Sequence, residues 1–200
     1  MTPMPTPNPS LILASTSSYR ADSLRRLNLS FEALAPQVDE AYLPAEIPSA
    51  RAARLAQAKA KALGAQFPDS VLIGSDQVAC CGEQMFDKPG SEKRAITMLE
   101  SLRGEHIDFH TAVCVYQASS DRTIEHTDLT RVMVRSDLTN DEIVRYVQAD
   151  FPIDCAGAFK VESLGISLFE HVHTDDPTAL IGLPLIAVAR ALRTFGLHVP

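Results

Sequence analysis

An α/β fold on a mixed central sheet is what this sequence predicts, and three observations carry the prediction. Apolar runs short enough for strands alternate with longer stretches of helical composition. The alternation keeps no strict βαβ rhythm, so the sheet is expected to be mixed, with helices around it. Two long alternating segments, 106–117 and 122–136, follow one another directly, as the arms of a meander or hairpin do.

Each element has its own justification. LILAS (11–15) reads as a buried first strand, and TSSYRADSLRRL behind it offers hydroxyls and then an apolar stripe at Leu24 and Leu27, the pattern of a strand feeding a helix N-terminus. SFEALAPQVDE reads as a second strand running into a loop that ends in Asp39 and Glu40. From Pro48 to about Leu63 the content of Ala, Leu and Arg, without Gly or internal Pro, predicts a helix with Pro48 in its first turn. VLIGSDQVACC (71–81) is a central strand, and a helix follows from Ser91 towards Arg103 with Gly104 as its stop. Thr139–Glu142 matches a capping box ahead of IVRYVQA. CAGAFKVESLGISLFE (155–170) reads as a glycine-punctuated strand region, and 183–196 as a closing amphipathic helix.

Composition narrows the function. With 200 residues, 46% hydrophobic and 22% charged, the chain fits one globular domain over 11–200, behind a proline-bearing tail over 1–10 that is expected to be disordered. A net charge of −7 argues against polymeric nucleic acid, whose phosphates demand a basic face. No apolar run approaches the roughly 20 residues that span a bilayer, and no secretory signal is present, so a cytoplasmic protein is expected. Cys80, Cys81, Cys114 and Cys155 lack CxxC spacing and read as buried free thiols rather than zinc ligands or disulfides.

Three sets of residues carry candidate chemistry. Ser15, Thr16, Ser17 and Arg20 lie where a helix N-terminus would present N–H groups to phosphate, although the hydroxyls could equally be plain caps. Lys88 precedes Pro89 and a helix start; Lys59 and Lys61 are near neighbours that spacing cannot separate. Asp76 interrupts two stretches that both favour burial, and a buried unpaired carboxylate is costly, so it should lie in a solvated turn or face partners in a cleft. With Glu40 it could hold Mg²⁺ or Mn²⁺ against a phosphate, or activate water.

Taken together these residues resemble the Maf family of nucleoside triphosphate pyrophosphatases. The likeness runs from about Leu11 to Gly196 through LILASTSSYR, VDE at 38–40, RLAQAKA at 54–60, GSDQV at 74–78, DKP at 87–89, CAGAFKVESLG at 155–165 and IGLPL at 181–185. The resemblance implies a Maf/ITPase-like fold of two lobes around a substrate cleft, a homodimer, and metal-dependent hydrolysis between the α and β phosphorus atoms. By position it implies Asp76 as the catalytic acidic residue, with Ser15, Arg20, Glu40, Lys59 and Lys88 around phosphate and metal; Asp76 and Glu40 would be the metal ligands. It thereby prefers Lys59 to Lys61.

Within the family the chain looks like the branch that takes 7-methyl-GTP. Tyr19, Gln77 and Glu162 stand where the dTTP/UTP branch carries Arg, Thr and Gln, so these three are expected to set base specificity. A methylated guanine is cationic, which suits an aromatic face and a carboxylate and is repelled by Arg. Three departures mark this chain: Ser18 replaces the usual Pro, Asp87 stands where Gly is common, and Tyr19 is smaller than the expected Trp. The alternatives are a dTTP/UTP pyrophosphatase and a nucleotide-binding regulator of cell division. A phosphatase with an aspartyl nucleophile lacks the D-x-D that should follow the first strand.

Overall fold

The two segments apolar enough to hide both faces lie side by side at the centre of the computed structural model, which describes residues 9–200. Most of the expected N-terminal tail therefore lies outside the described residues. The strands are β1 (Leu11–Ala14), β2 (Glu32–Leu34), β3 (Val71–Cys81), β4 (Gln84–Phe86), β5 (His106–Gln117), β6 (Arg122–Val134) and β7 (Phe169–His173). The helices are α1 (Ser18–Arg25), α2 (Pro48–Ala62), α3 (Glu92–Ser101), α4 (Asn140–Asp150) and α5 (Leu185–Thr194). One 7-stranded sheet has the order β2-β1-β3-β5-β6-β7, with β4 beside β3. β2, β1 and β3 are parallel and the other pairings antiparallel, so the sheet is mixed as expected.

Local signals hold where they were strongest. Thr139 and Glu142 form the reciprocal capping box of α4, and Ser91 caps α3 by accepting from Arg94 N–H. The expectation for 155–170 is corrected. That stretch winds through single turns at Ala156–Ala158 and Leu164–Leu168, and only Phe169–His173 becomes strand. Its glycines mark a chain folding back rather than an extended one: Gly157 has φ of +77°, and a Cβ on Gly165 would stand 2.4 Å from the Lys160 carbonyl oxygen. β4, three residues beyond the Gly82 turn, was too short for the pattern to reveal. All four cysteines are free; Cys80 and Cys114 are buried as expected, Cys81 and Cys155 only partly so. Among the described residues no helix is long and apolar enough to cross a membrane.

β3 and β5 are long because they serve two cores. Val71 and Ile73 of β3 pack with β1, α1 and α5, whereas Ala79 packs with α3 and α4; Val113 and Val115 of β5 join the first cluster, Ile107 and Phe109 the second. Between the clusters β3 outlasts its neighbour. β1 pairs with it only through Ile73, and β4 begins only at Ala79, so on that side residues 74–78 have no strand beside them. On the opposite edge β5 pairs from Leu72 to Cys80 and keeps the strand straight.

The helix over this stretch approaches unusually closely. α2 lays Ala52, Ala56 and Ala60 on Val78, Ala112 and Cys114, and small side chains let the backbones meet. Gly74 makes the approach feasible, because a Cβ there would stand 2.2 Å from Ala56 O and 2.4 Å from Ala60 N. Gly74→Ala is expected to destabilise the protein by about 3 kcal/mol, since overpacking against backbone finds little relief. Urea denaturation measures this, and a loss below about 0.5 kcal/mol would mean that α2 can lift away.

Candidate active site

Successive side chains of a strand point to opposite faces, so Asp76 and Gln77 can share a cavity only if it wraps around an edge of β3. The gap at 74–78 is such an edge. A cavity of about 790 Å³ opens there, and Ser15, Tyr19, Arg20, Glu40, Lys59, Asp76, Gln77, Lys88 and Glu162 all line it. Every site residue that the family resemblance implied thus lines one cavity, whereas Lys61 does not.

Lys59 is the centre of the charge arrangement. The Gly74 contact brings α2 near enough for its buried Nζ to lie 2.6 Å from Asp76 Oδ1 and 2.8 Å from Glu40 Oε1. Lys61, one residue past the next, is exposed, with its Nζ 5.7 Å from the Tyr116 ring centroid, so the geometry selects Lys59. Burial alone would raise the Glu40 carboxyl, but the hydrogen bond and charge of Lys59, with Arg20 and Arg51 beyond, hold it below the usual carboxylate range. Asp76 is buried on the same ammonium.

The wall that carries hydroxyls and a guanidinium is built by α1 and by the segment between β7 and α5. Ser17 caps α1, accepting from Arg20 N–H, and buried Ser15 accepts from Ser17 N–H. Arg20 donates from Nε to Gly182 O at 3.0 Å; burial pulls its pKa below the ordinary value, partly offset by Asp76 and Glu40. Gln77 is held by the same segment, its Nε2 donating to Ala179 O at 3.0 Å, Leu180 O at 3.2 Å and Thr111 Oγ1 at 2.9 Å. Backbone carbonyls only accept, so they decide the amide's orientation, and the Gln77 side-chain oxygen faces away from them. Lys88 is exposed at the far end of the cavity.

The remaining wall is aromatic and acidic. Tyr19 sits beside Cys155, Asp154 and Glu162; burial first, then these neighbours, raise its hydroxyl above the ordinary value and keep it protonated. Burial likewise pushes the Cys155 thiol up to about 12. Lys160 Nζ lies 5.9 Å from the Tyr19 ring centroid while donating to Asp150 O, a cation the sequence did not announce. Phe109 and Phe159 close the floor, and Glu162 is exposed at the rim.

The family described as Maf-like protein matches residues 10–195. The chain belongs to the Maf family. Among its relatives, the 7-methyl-GTP pyrophosphatase of Xanthomonas axonopodis pv. citri (strain 306) is 50% identical over 192 residues, 96% of this chain and 100% of that one. The protein of the same name from Aromatoleum aromaticum is 50% identical over 95% of this chain and 97% of its own. The one from Burkholderia pseudomallei (strain 1710b) is 47% identical over 94% and 88%. A solved structure titled "Structure of a HAM1 protein from Coxiella burnetii" superimposes with a TM-score of 0.45 at 14% identity, over 66% of this chain and 75% of that one; so distant a likeness carries no argument.

This Maf cleft has the donors that Mg²⁺ or Mn²⁺ prefers. Lys59 brings two carboxylates to one point while engaging a single oxygen of each, leaving hard oxygens free on Asp76 and Glu40. Among the described residues no three His, Cys, Asp or Glu side chains converge as a self-sufficient metal cage. Sequence reading missed Arg51, Tyr42 and Cys155 as lining residues. Arg51 left a signal: Arg51, Leu55 and Lys59 recur every four residues, which places them on one face of α2.

Removing the shared cation should expose its role. Lys59→Met is expected to cost about 3 kcal/mol by stranding Asp76 as a buried charge. Urea denaturation reads the deficit, and a loss below about 0.5 kcal/mol would deny that Asp76 depends on this ammonium. The Glu40 carboxylate adds a pH dependence. Its depressed pKa stabilises the fold above the unfolded value and loses that contribution as pH falls through the folded one. Because Glu40 is half-exposed, Glu40→Gln should lower stability at neutral pH by under about 1 kcal/mol, a difference that starts to fade near the ordinary carboxylate value of about 4.3 and is lost as pH falls through the lower folded one; denaturation at several pH values reads it.

Proposed function

We propose that this Maf chain hydrolyses the α–β phosphoanhydride of 7-methyl-GTP to 7-methyl-GMP and pyrophosphate, removing a modified nucleotide. The observation that carries the reading is the Lys59, Asp76 and Glu40 cluster at the open edge of β3, set between a wall of hydroxyls and guanidinium and a wall of aromatic rings. The names borne by relatives at 47–50% identity support the same substrate. We assign the chain a divalent cation, Mg²⁺ or Mn²⁺, and a cytoplasmic setting that suits its free thiols. From the family resemblance we also assign it a homodimeric state.

The chemistry is largely electrostatic. A triphosphate repels an incoming water, and Arg20, Lys59 and Lys88 lower that cost by meeting charge on the phosphoryl oxygens and on the departing pyrophosphate. Asp76 and Glu40 would hold the divalent ion, which would add acidity for water and charge for the phosphates. Asp76, held by Lys59 at 2.6 Å, is the carboxylate placed to take the proton of the attacking water. The water oxygen bonds to phosphorus, the bridging P–O bond breaks, and the water proton leaves through the carboxylate to solvent.

Base selection rests on Tyr19, Gln77 and Glu162. N7-methylation gives guanine a positive charge, which an aromatic face attracts by roughly 0.5–2 kcal/mol. Lys160 near the same ring opposes a cation, and Glu162, in no ion pair among the described residues, offers the counter-charge. The fixed Gln77 amide leaves its oxygen to accept from the purine's N–H groups.

The test is product analysis of purified protein with Mg²⁺ or Mn²⁺ and 7-methyl-GTP, GTP, dTTP, UTP and CTP, beside Asp76→Asn. We expect pyrophosphate and 7-methyl-GMP, with 7-methyl-GTP preferred over GTP by about tenfold or more, and a loss of at least about 100-fold in the variant. Preference for dTTP or UTP would refute the base assignment. Inorganic phosphate in place of pyrophosphate would refute the reaction itself.

A further inference from the structure

Two loops remote in sequence meet at the phosphate end of the cleft. The loop after β2 carries Glu40 and Tyr42, the loop after β4 carries Asp87 and Lys88, and all four line the cavity. A single hydrogen bond joins them: Tyr42 Oη donates to Asp87 Oδ1 at 2.6 Å. Both sides of this bond are braced. The Arg51 guanidinium lies 3.7 Å from the Tyr42 ring centroid and donates to Glu40 O at 2.7 Å and Ala41 O at 3.2 Å. Arg54 grips Glu46 of the same loop through two bonds of 2.6 and 2.8 Å. Beyond Asp87, Pro89 is buried and Gly90 N–H donates to Ile153 O at 2.8 Å.

We infer that the tie between Tyr42 and Asp87 is a specificity-determining bar that restricts the cleft to nucleotides with a free terminal phosphate. The inference rests on the reading of the cleft given above. With the base against Tyr19 and the reacting anhydride beside Asp76, the β- and γ-phosphates run toward Lys88 and the tied loops. A free γ-phosphate ends there and presents its full charge to Lys88. A γ-phosphate esterified to a second nucleoside brings less charge to Lys88 and must carry its extra group across the bar, past the Asp87 carboxylate. Rigid bracing on both sides means that the bar does not yield without losing a charge-assisted hydrogen bond.

The substrates that test this are 7-methyl-GTP and 7-methylguanosine joined through its triphosphate to a second guanosine. Hydrolysis of the anhydride next to the methylated nucleoside releases 7-methyl-GMP from both, with pyrophosphate from the first and guanosine diphosphate from the second. The unaltered protein should favour 7-methyl-GTP in kcat/KM by about 100-fold or more. That ratio should fall about tenfold in Tyr42→Phe, which keeps the ring on Arg51, and in Asp87→Ala. Asp87→Asn should preserve it, because the amide oxygen still accepts from Tyr42, and the Tyr42→Phe/Asp87→Ala double variant should fall no further than either single one. An unchanged ratio in both single variants, or no preference in the unaltered protein, overturns the bar. Equal loss in Asp87→Asn and Asp87→Ala overturns the tie in favour of bare charge. Absence of pyrophosphate from 7-methyl-GTP would instead bring down the underlying reading, so the two failures are distinct.

Discussion

The open edge of β3 between Ile73 and Ala79 is the constraint on which the cleft depends. A strand buried in mid-sheet offers each face of its side chains to a separate layer, so adjacent residues normally cannot act on one ligand. Here β1 stops and turns into α1 while β3 continues to a second hydrophobic cluster. The missing neighbour leaves a slot through which Asp76, on the α2 face, and Gln77, on the other, reach the same space. Burying a carboxylate between two apolar runs is thereby reconciled with its cost, because Asp76 is inside the protein and beside its counter-charge at once.

That counter-charge comes from an unusual economy of volume. Alanines on α2 and a glycine on β3 bring backbone against backbone, and Lys59 is the side chain this contact delivers to Asp76. Buried ion pairs contribute little net stability compared with apolar packing. Their presence at the one open edge of the strand is better explained by work on an anionic substrate, since ions already stripped of much of their water need little reorganisation when charge develops.

The segment from Thr174 to Leu183 connects the two walls. Its carbonyls receive Arg20 from α1, Gln77 from the open edge of β3, and Ser75 and Thr111 from the strands beneath. Buried Asp176 holds that segment in shape, accepting from Thr178 N–H and Oγ1–H and, through its other oxygen, from Ile186 N–H at the start of α5. One template therefore positions both Arg20 and Gln77, the groups proposed to meet phosphate and base.

Periodicity, caps and breakers were enough to read β1, β3, the β5 and β6 hairpin and the helices, because these signals act within a few residues. The Maf motifs named the site residues for the same reason, each being a short string. What stayed illegible depends on distance. The turns of 155–170 follow from glycines meeting Phe109 and their own backbone, and the tie of Tyr42 to Asp87 spans 45 positions. Which lysine reaches Asp76 was likewise undecided by spacing. The sequence by itself determined most of the strands and helices and which residue types could handle a phosphate. Only the tertiary structure decided that β3 outlasts β1, that Gly74 admits α2, and that Lys59 rather than Lys61 meets Asp76. Those outcomes arise from steric fit between segments far apart in the chain, which no local pattern encodes.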